Sequence, residues 1–180
     1  MKTKWLGPAA VALLVLSITA VGAAAQEVHD SQIASEIGRQ VSRYPQFSIF
    51  DDVSGSVDNG VVTLTGKVTM PYKKRDIGKR VSQVMGVREV NNRIDVLPVS
   101  TWDENLRVRI ARAIYGNSAF WQYGAMANPP IHIIVENGHV RLTGVVNSNV
   151  DRMLARSLAV GFGEFSVTNE LRTDGEMRSN

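Results

Sequence analysis

The 180-residue chain has no cysteine, which excludes disulfides and a lipid-modified N-terminal cysteine. Histidine is scarce: His29, His132 and His139 are the only three. Strand alternation sets His132 opposite Thr143 and His139 opposite Glu136, several residues apart at about 3.3 Å each, too far to share one ion. No metal and no cofactor are therefore expected. A Ser-His-Asp spacing and a phosphate-cradling glycine loop are both missing, and the acid pair Asp51-Asp52 has no base or nucleophile near it in sequence. No catalytic residue is assigned, and the chain is not read as an enzyme. Charge of one sign is also lacking. The formal net charge is +3, and +1 once Lys2 and Lys4 are removed, which argues against a general nucleic-acid binder. The longest apolar run, Pro8 to Val21, is short for a bilayer span of roughly 20 residues.

What is present begins with a targeting signal. Met1-Lys-Thr-Lys is a positive start, the run to Val21 follows, and Ala23-Ala24-Ala25 before Gln26 has the small-residue pattern of a secretory cleavage site. Residues 1–25 are read as a signal peptide, with retention as a membrane anchor the alternative. The expected compartment is the periplasm.

The rest of the chain is doubled. Asn59-Gly-Val-Val-Thr-Leu-Thr-Gly-Lys-Val68 returns as Asn137-Gly-His-Val-Arg-Leu-Thr-Gly-Val-Val146. Asn-Gly between alternating apolar runs marks a two-residue type I′ hairpin, because both turn residues need positive φ. With Asn59 and Gly60 central, Val57 faces Val62, Gly55 faces Leu64 and Val53 faces Gly66; the second copy predicts the same register, with Ile131, Ile133, Val135, Val140 and Leu142 inward. Gly66 and Gly144 fall late in the second strand, where a missing side chain marks a bulge or the close approach of another backbone.

A helix precedes each hairpin. The first carries Ile33, Ile37 and Val41 after a Ser31 cap, and the second, from Asp103 to Tyr115, carries Leu106, Ile110 and Ile114 after an Asp103 cap. A further helix follows each hairpin, at about residues 72–85 with Ile77, Val81 and Val84 inward and Gly86 as its stop, and at about 150–160 with Leu154, Ala155 and Leu158 inward. Third strands at Val90 to Val96 and Val167 to Leu171 close the units. The order α-β-β-α-β, twice, predicts an α+β fold in which each module has a three-stranded mixed sheet with two helices on one face. The expected division is a lead-in at 26–30, a first domain at 31–97, a linker at 98–102, a second domain at 103–172 and a flexible tail at 173–180.

These residues resemble the BON domain, the module of bacterial osmotic-stress and nodulation proteins. The resemblance rests on Asn59, Gly60, Gly66 and Gly86, then Val90, Asn92 and Ile94, and on Asn137, Gly138, Gly144, Gly163, Val167, Asn169 and Leu171 in the second copy. The second copy departs in Glu164, where the first has Val87, and in extra residues between its first helix and first strand. The resemblance implies a non-enzymatic role in envelope integrity under osmotic or other stress. The implied contact is an anionic phospholipid surface or an envelope protein, and no catalytic residues carry over.

A lipid-facing surface combines Trp or Tyr with Arg or Lys. Trp102 stands at the mouth of the second module's first helix, with Arg109 and Arg112 flanking its core stripe. Its placement resembles that of membrane-binding family members, and packing against the first module is the alternative. Phe120 aligns with Phe47 and is expected in the core. Trp121, Tyr123 and Met126 belong to the extra segment and are expected to form a membrane wedge, a partner contact or a lid over the inter-domain seam. In the first module, the basic run Lys73-Lys74-Arg75 opens a helix against its dipole, so Arg75 and Lys79 are anion-contact candidates, with an ordinary charged face the alternative.

Overall fold

The computed structural model describes residues 18–178, so the signal reading for residues 1–17 and the last two tail residues lie outside the described part. The first module comprises α1 (Ile18–Ser42), β1 (Asp52–Asp58), β2 (Val61–Val68), α2 (Pro71–Ser82), β3 (Glu89–Asn92) and β4 (Asp95–Val96). The second comprises α3 (Thr101–Tyr115), a 3-10 turn (Ser118–Phe120), α4 (Trp121–Gly124), β5 (Ile131–Glu136), β6 (His139–Val146), α5 (Asn149–Leu158), β7 (Ser166–Asn169) and β8 (Arg172–Thr173), followed by α6 (Asp174–Arg178). In each, the middle strand pairs antiparallel with the first and parallel with both pieces of the last. This is the expected α+β tandem.

The hairpins follow their turns. Asn59 and Gly60 have φ of 52° and 76°, Asn137 and Gly138 of 51° and 77°. The register sets Val53 opposite Gly66, Gly55 opposite Leu64 and Ile133 opposite Leu142. Gly66 and Gly144 have φ of 120° and 111°, and a Cβ on either would collide with a carbonyl oxygen, of Asp52 and Pro130 respectively. The third strand of each sheet is broken by an asparagine. Asn92 donates its amide to the Lys74 carbonyl at 2.8 Å and accepts the Ile94 N–H at 3.2 Å. Asn169 does the same with Arg152 and Leu171 at the same distances.

Each module has its own core. Ile33, Ile37, Val41, Val62, Leu64, Ile77, Val81, Val84 and Ile94 fill the first, and Leu106, Ile110, Ile114, Phe120, Ile133, Leu142 and Ala155 belong to the second. Each large apolar side chain buried this way contributes about 1.5–3 kcal/mol. No helix among the described residues is long and apolar enough to cross a membrane.

Three local expectations are corrected. The first helix does not start at a Ser31 cap: α1 runs without a break from Ile18, so residues 26–30 are helical and Ser31 lies inside. The Ala-rich stretch before it favours helix. Asp103 does not cap α3 either, since Ser100 accepts the Asp103 N–H at 3.1 Å. The carboxylates of Asp30 and Asp103 instead hold the hairpin turns. Asp30 accepts from the N–H groups of Asn59 (2.7 Å) and Gly60 (3.0 Å), and Asp103 from those of Asn137 and Gly138 (2.8 Å each). Positive φ at both turn residues leaves these donors outside the ladder, and a carboxylate from the helix that precedes the hairpin satisfies them. The tail is ordered through Arg178, with Glu176 accepting from Thr173 N at 2.8 Å and from Arg152 at 3.0 Å.

The modules dock through the loop before β1. Ile133 N–H donates to the Ile49 carbonyl at 2.7 Å, Phe50 packs against the second core, and the Phe47 ring lies 5.5 Å from that of His132. Arg141 meets Asp52 at 3.1 Å, and Lys67 pairs with Glu136.

Candidate functional site

The end of the second module where α3 begins and α5 stops gathers exposed apolar side chains. Ser100 starts α3 and Asp103 ties its first turn to the Asn137-Gly138 turn, which fixes Trp102 beside the loop that follows α5. That loop turns through Gly161 and Gly163, with φ of 97° and 96°. The Trp102 ring covers Gly163, since a Cβ there would lie 3.3 Å from it. Phe165 folds over the Gly138 turn and meets the His139 ring at a tilt of 58°, 5.7 Å between centroids. Despite these contacts, Trp102 remains 56% exposed, Phe165 75% and Val160 50%.

Two charged groups shape the loop. Arg109 donates to the Phe162 carbonyl at 3.1 Å and lies over the Phe162 ring, 5.1 Å from its centroid. Glu164 accepts from Gly161 N and Phe162 N at 2.8 Å each. Burial alone would raise the Glu164 pKa, but the loop's N–H groups outweigh it and hold the carboxyl below its ordinary value. The departure from the first copy at this residue therefore has a local cause: Glu164 folds the loop that presents Phe162 and Phe165. In the first module the same places hold Met85 and Arg88, and His29 covers Gly86 as Trp102 covers Gly163.

The candidate residues separate. Trp102 and Arg109 belong to this end, and Trp102 packs on its own module's loop instead of the first module. Arg112 is exposed farther along α3, beside the groove that receives Ile49 and Phe50. Trp121, 71% exposed, and Met126 lie beyond the other end of α3, a 15-residue helix about 20 Å long. Tyr123 is not an exposed contact. It is buried, its hydroxyl accepting from Asn147 N at 2.8 Å and donating to Asp151 at 2.8 Å. Burial is the first cause that raises its pKa above the ordinary value.

In the first module, Arg75 and Lys79 are exposed, and Arg75 lies 3.8 Å from Asp76. Their neighbour Lys73 is buried and pairs with Asp51 at 2.6 Å. Asp51 is fully buried and also accepts from Ser48 N (2.9 Å), Ser48 Oγ (2.7 Å), Thr69 N (2.8 Å) and Thr69 Oγ1 (2.9 Å). Burial pushes its pKa up, but Lys73 and these donors outweigh that and hold it below the ordinary value. The opening of α2 on a basic residue is thus explained for Lys73 by this ion pair.

Sequence reasoning missed Val160, Phe162 and Phe165, which read as the stretch around a helix stop. The signal was there in a comparison of the copies, because Phe165 stands where the first has Arg88. His132 meets the Phe47 ring at a tilt of 50°, whereas His139 lies 2.8 Å from Ser166 Oγ.

A family model described as BON domain matches residues 29–98 and again 103–175. No curated protein sequence matches the chain. Two solved structures of CdsD, a structural protein of the Type III secretion system of Chlamydia trachomatis, are similar. The C-terminal domain aligns at 16% identity and a TM-score of 0.33, covering 80% of this chain and 66% of that one. The other aligns at 14% identity and a TM-score of 0.27, covering 85% of this chain and 96% of that one.

Proposed function

Because the chain belongs to the BON-domain family, with two such domains in tandem, we propose that it is a non-enzymatic protein of the bacterial envelope that docks on anionic phospholipid through its second domain. The supporting observation is the cluster of Trp102, Val160 and Phe165, exposed at one end of the molecule with Arg109 seated on the neighbouring Phe162 ring. The Trp102 indole, with an apolar body and a polar N–H, suits the headgroup level, Val160 and Phe165 suit the acyl boundary beneath it, and arginine suits lipid phosphate. Export by residues 1–25 to the periplasm and a role in envelope maintenance under stress complete the proposal.

Co-sedimentation with vesicles of phosphatidylglycerol mixed into phosphatidylcholine, against phosphatidylcholine alone, tests it. Binding to the anionic vesicles that weakens with added salt is expected. Failure to pellet with either at low salt refutes the lipid reading. A protein-interaction module without lipid affinity is the second reading, favoured by Trp121 and Met126 standing exposed at the opposite end of α3.

A further inference from the structure

The free edges of the two first strands are treated differently. In the second module the edge of β5 is occupied: Ile133 N–H donates to the Ile49 carbonyl, and Ile49 and Phe50 lie along a groove with Val108, Ala111, Arg112 and Tyr115 of α3. The first module has the same edge. Gly55 faces Leu64 as Ile133 faces Leu142, and Gly38 follows Ile37 on α1 as Ala111 follows Ile110 on α3. The pair closing a two-residue turn is hydrogen-bonded, and pairs then alternate, so Gly55 points its N–H and C=O away from β2. No backbone group among the described residues meets them.

Beside that edge lies a cleft of about 640 Å³, bounded by α1, β1 and the outer face of the second module's sheet. Two features keep it open and polar. A side chain added at Gly38 would meet nothing within 4 Å. On the opposite wall Thr143 is buried with no hydrogen-bond partner for its hydroxyl among the described residues, and neighbouring Arg141 spans Asp52 and Glu170 at 3.1 and 3.0 Å.

We propose that this cleft takes an extended peptide segment from a protein partner, which pairs with β1 through Gly55 and lays an apolar side chain over Gly38. The molecule itself shows the kind of occupant that fits, since in the second module Ile49 bonds the corresponding edge and Phe50 packs against the core beside it. The counterpart segment of a second copy does not supply it. The carbonyls of Asp52 and Pro130 occupy equivalent places against Gly66 and Gly144, so the second module's counterparts of Ile49 and Phe50 are Ala127 and Asn128, directly before two prolines. These offer no large apolar side chain. Strand addition to a free edge gains main-chain hydrogen bonds, and the pocket beside it selects the side chain.

The test is selection of a random linear heptapeptide library, displayed on phage, against the full chain. Enriched peptides should carry a large apolar residue, and a synthetic copy should shift the Gly55 amide resonance of the labelled protein. Gly38→Leu should weaken the peptide at least tenfold by filling the cleft, while its circular dichroism stays that of the parent, because leucine replaces glycine inside a helix. The proposal is overturned by no enrichment, by peptides that bind Gly38→Leu equally well, or by shifts at Trp102 in place of Gly55. Concentration-dependent self-association lost in Gly38→Leu would also overturn it, by making a second copy the occupant, as would vesicle binding lost in that variant.

Discussion

Where the first module buries a carboxylate, the second buries a phenol. Asp51 receives Thr69 N, at the end of β2, and Lys73 from the helix that follows; Tyr123 receives Asn147 N, just after β6, and bonds Asp151 from the helix that follows. The same junction is held by opposite polarity, an anion with a cation on α2 in one copy and a neutral hydroxyl with an anion on α5 in the other. Duplicated modules can thus keep a fold while exchanging the chemistry that locks it, and the two locks should fail under different conditions.

Removing the carboxylate tests the stronger lock. Asp51→Ala leaves the buried Lys73 ammonium without its counter-charge, held only by Thr69 Oγ1, and strips acceptors from Ser48 and Thr69, so a loss of about 3–5 kcal/mol is expected in urea denaturation. Tyr123→Phe keeps the ring in the core and deletes only the hydroxyl, so about 1–3 kcal/mol is expected. Equal losses would erase the distinction. The pH response should sharpen it. Asp51 is held below its ordinary value of 3.8, so its contribution is complete above that pH and disappears as pH falls through the folded value. Tyr123 is raised above 10.0, so its contribution holds below that pH and is lost as pH climbs through the folded value. Thermal melts from acid to alkali should show Asp51→Ala reducing the slope of the acid limb and Tyr123→Phe that of the alkaline one, where burial also raises Tyr44 and Tyr115. A flat acid limb in the parent would refute the first assignment.

The two glycine loops invite a smaller comparison. Trp102→Ala should reduce binding to anionic vesicles roughly tenfold, the equivalent of about 1.4 kcal/mol. His29→Ala, at the equivalent place in the first module, should leave vesicle binding unchanged. Equal effects would show that the second module's end is not special. Arg112→Ala, farther along α3 from Trp102, should change vesicle binding by less than about threefold.

The hairpin register and both cores were legible because period-two alternation and a two-residue turn leave one solution that buries the apolar face. Trp102 was legible by its place at the mouth of the second module's first helix. The Asp51 and Tyr123 locks were not, because each joins residues far apart in sequence. Tyr123 also sits among Trp121 and Met126, which are exposed, so position in an extra segment did not reveal its direction. Phe162 and Phe165 were hidden by flanking glycines that read as a helix stop. Asp30 and Asp103 looked like lead-in and cap because an acidic residue at a helix start is ordinarily read through the dipole, and only the fold brings the Asn-Gly turn to them.

The Ile49–Phe50 contact has a consequence for ancestry. A module that lends a side chain to its neighbour's core is no longer an interchangeable cassette. Shuffling the second domain into another chain would leave behind the residue that completes it, and the recipient would inherit a hollow. With Phe50 packed against the second core, a change in either α3 or the loop before β1 is constrained by the other, so the two repeats are coupled in what they can tolerate.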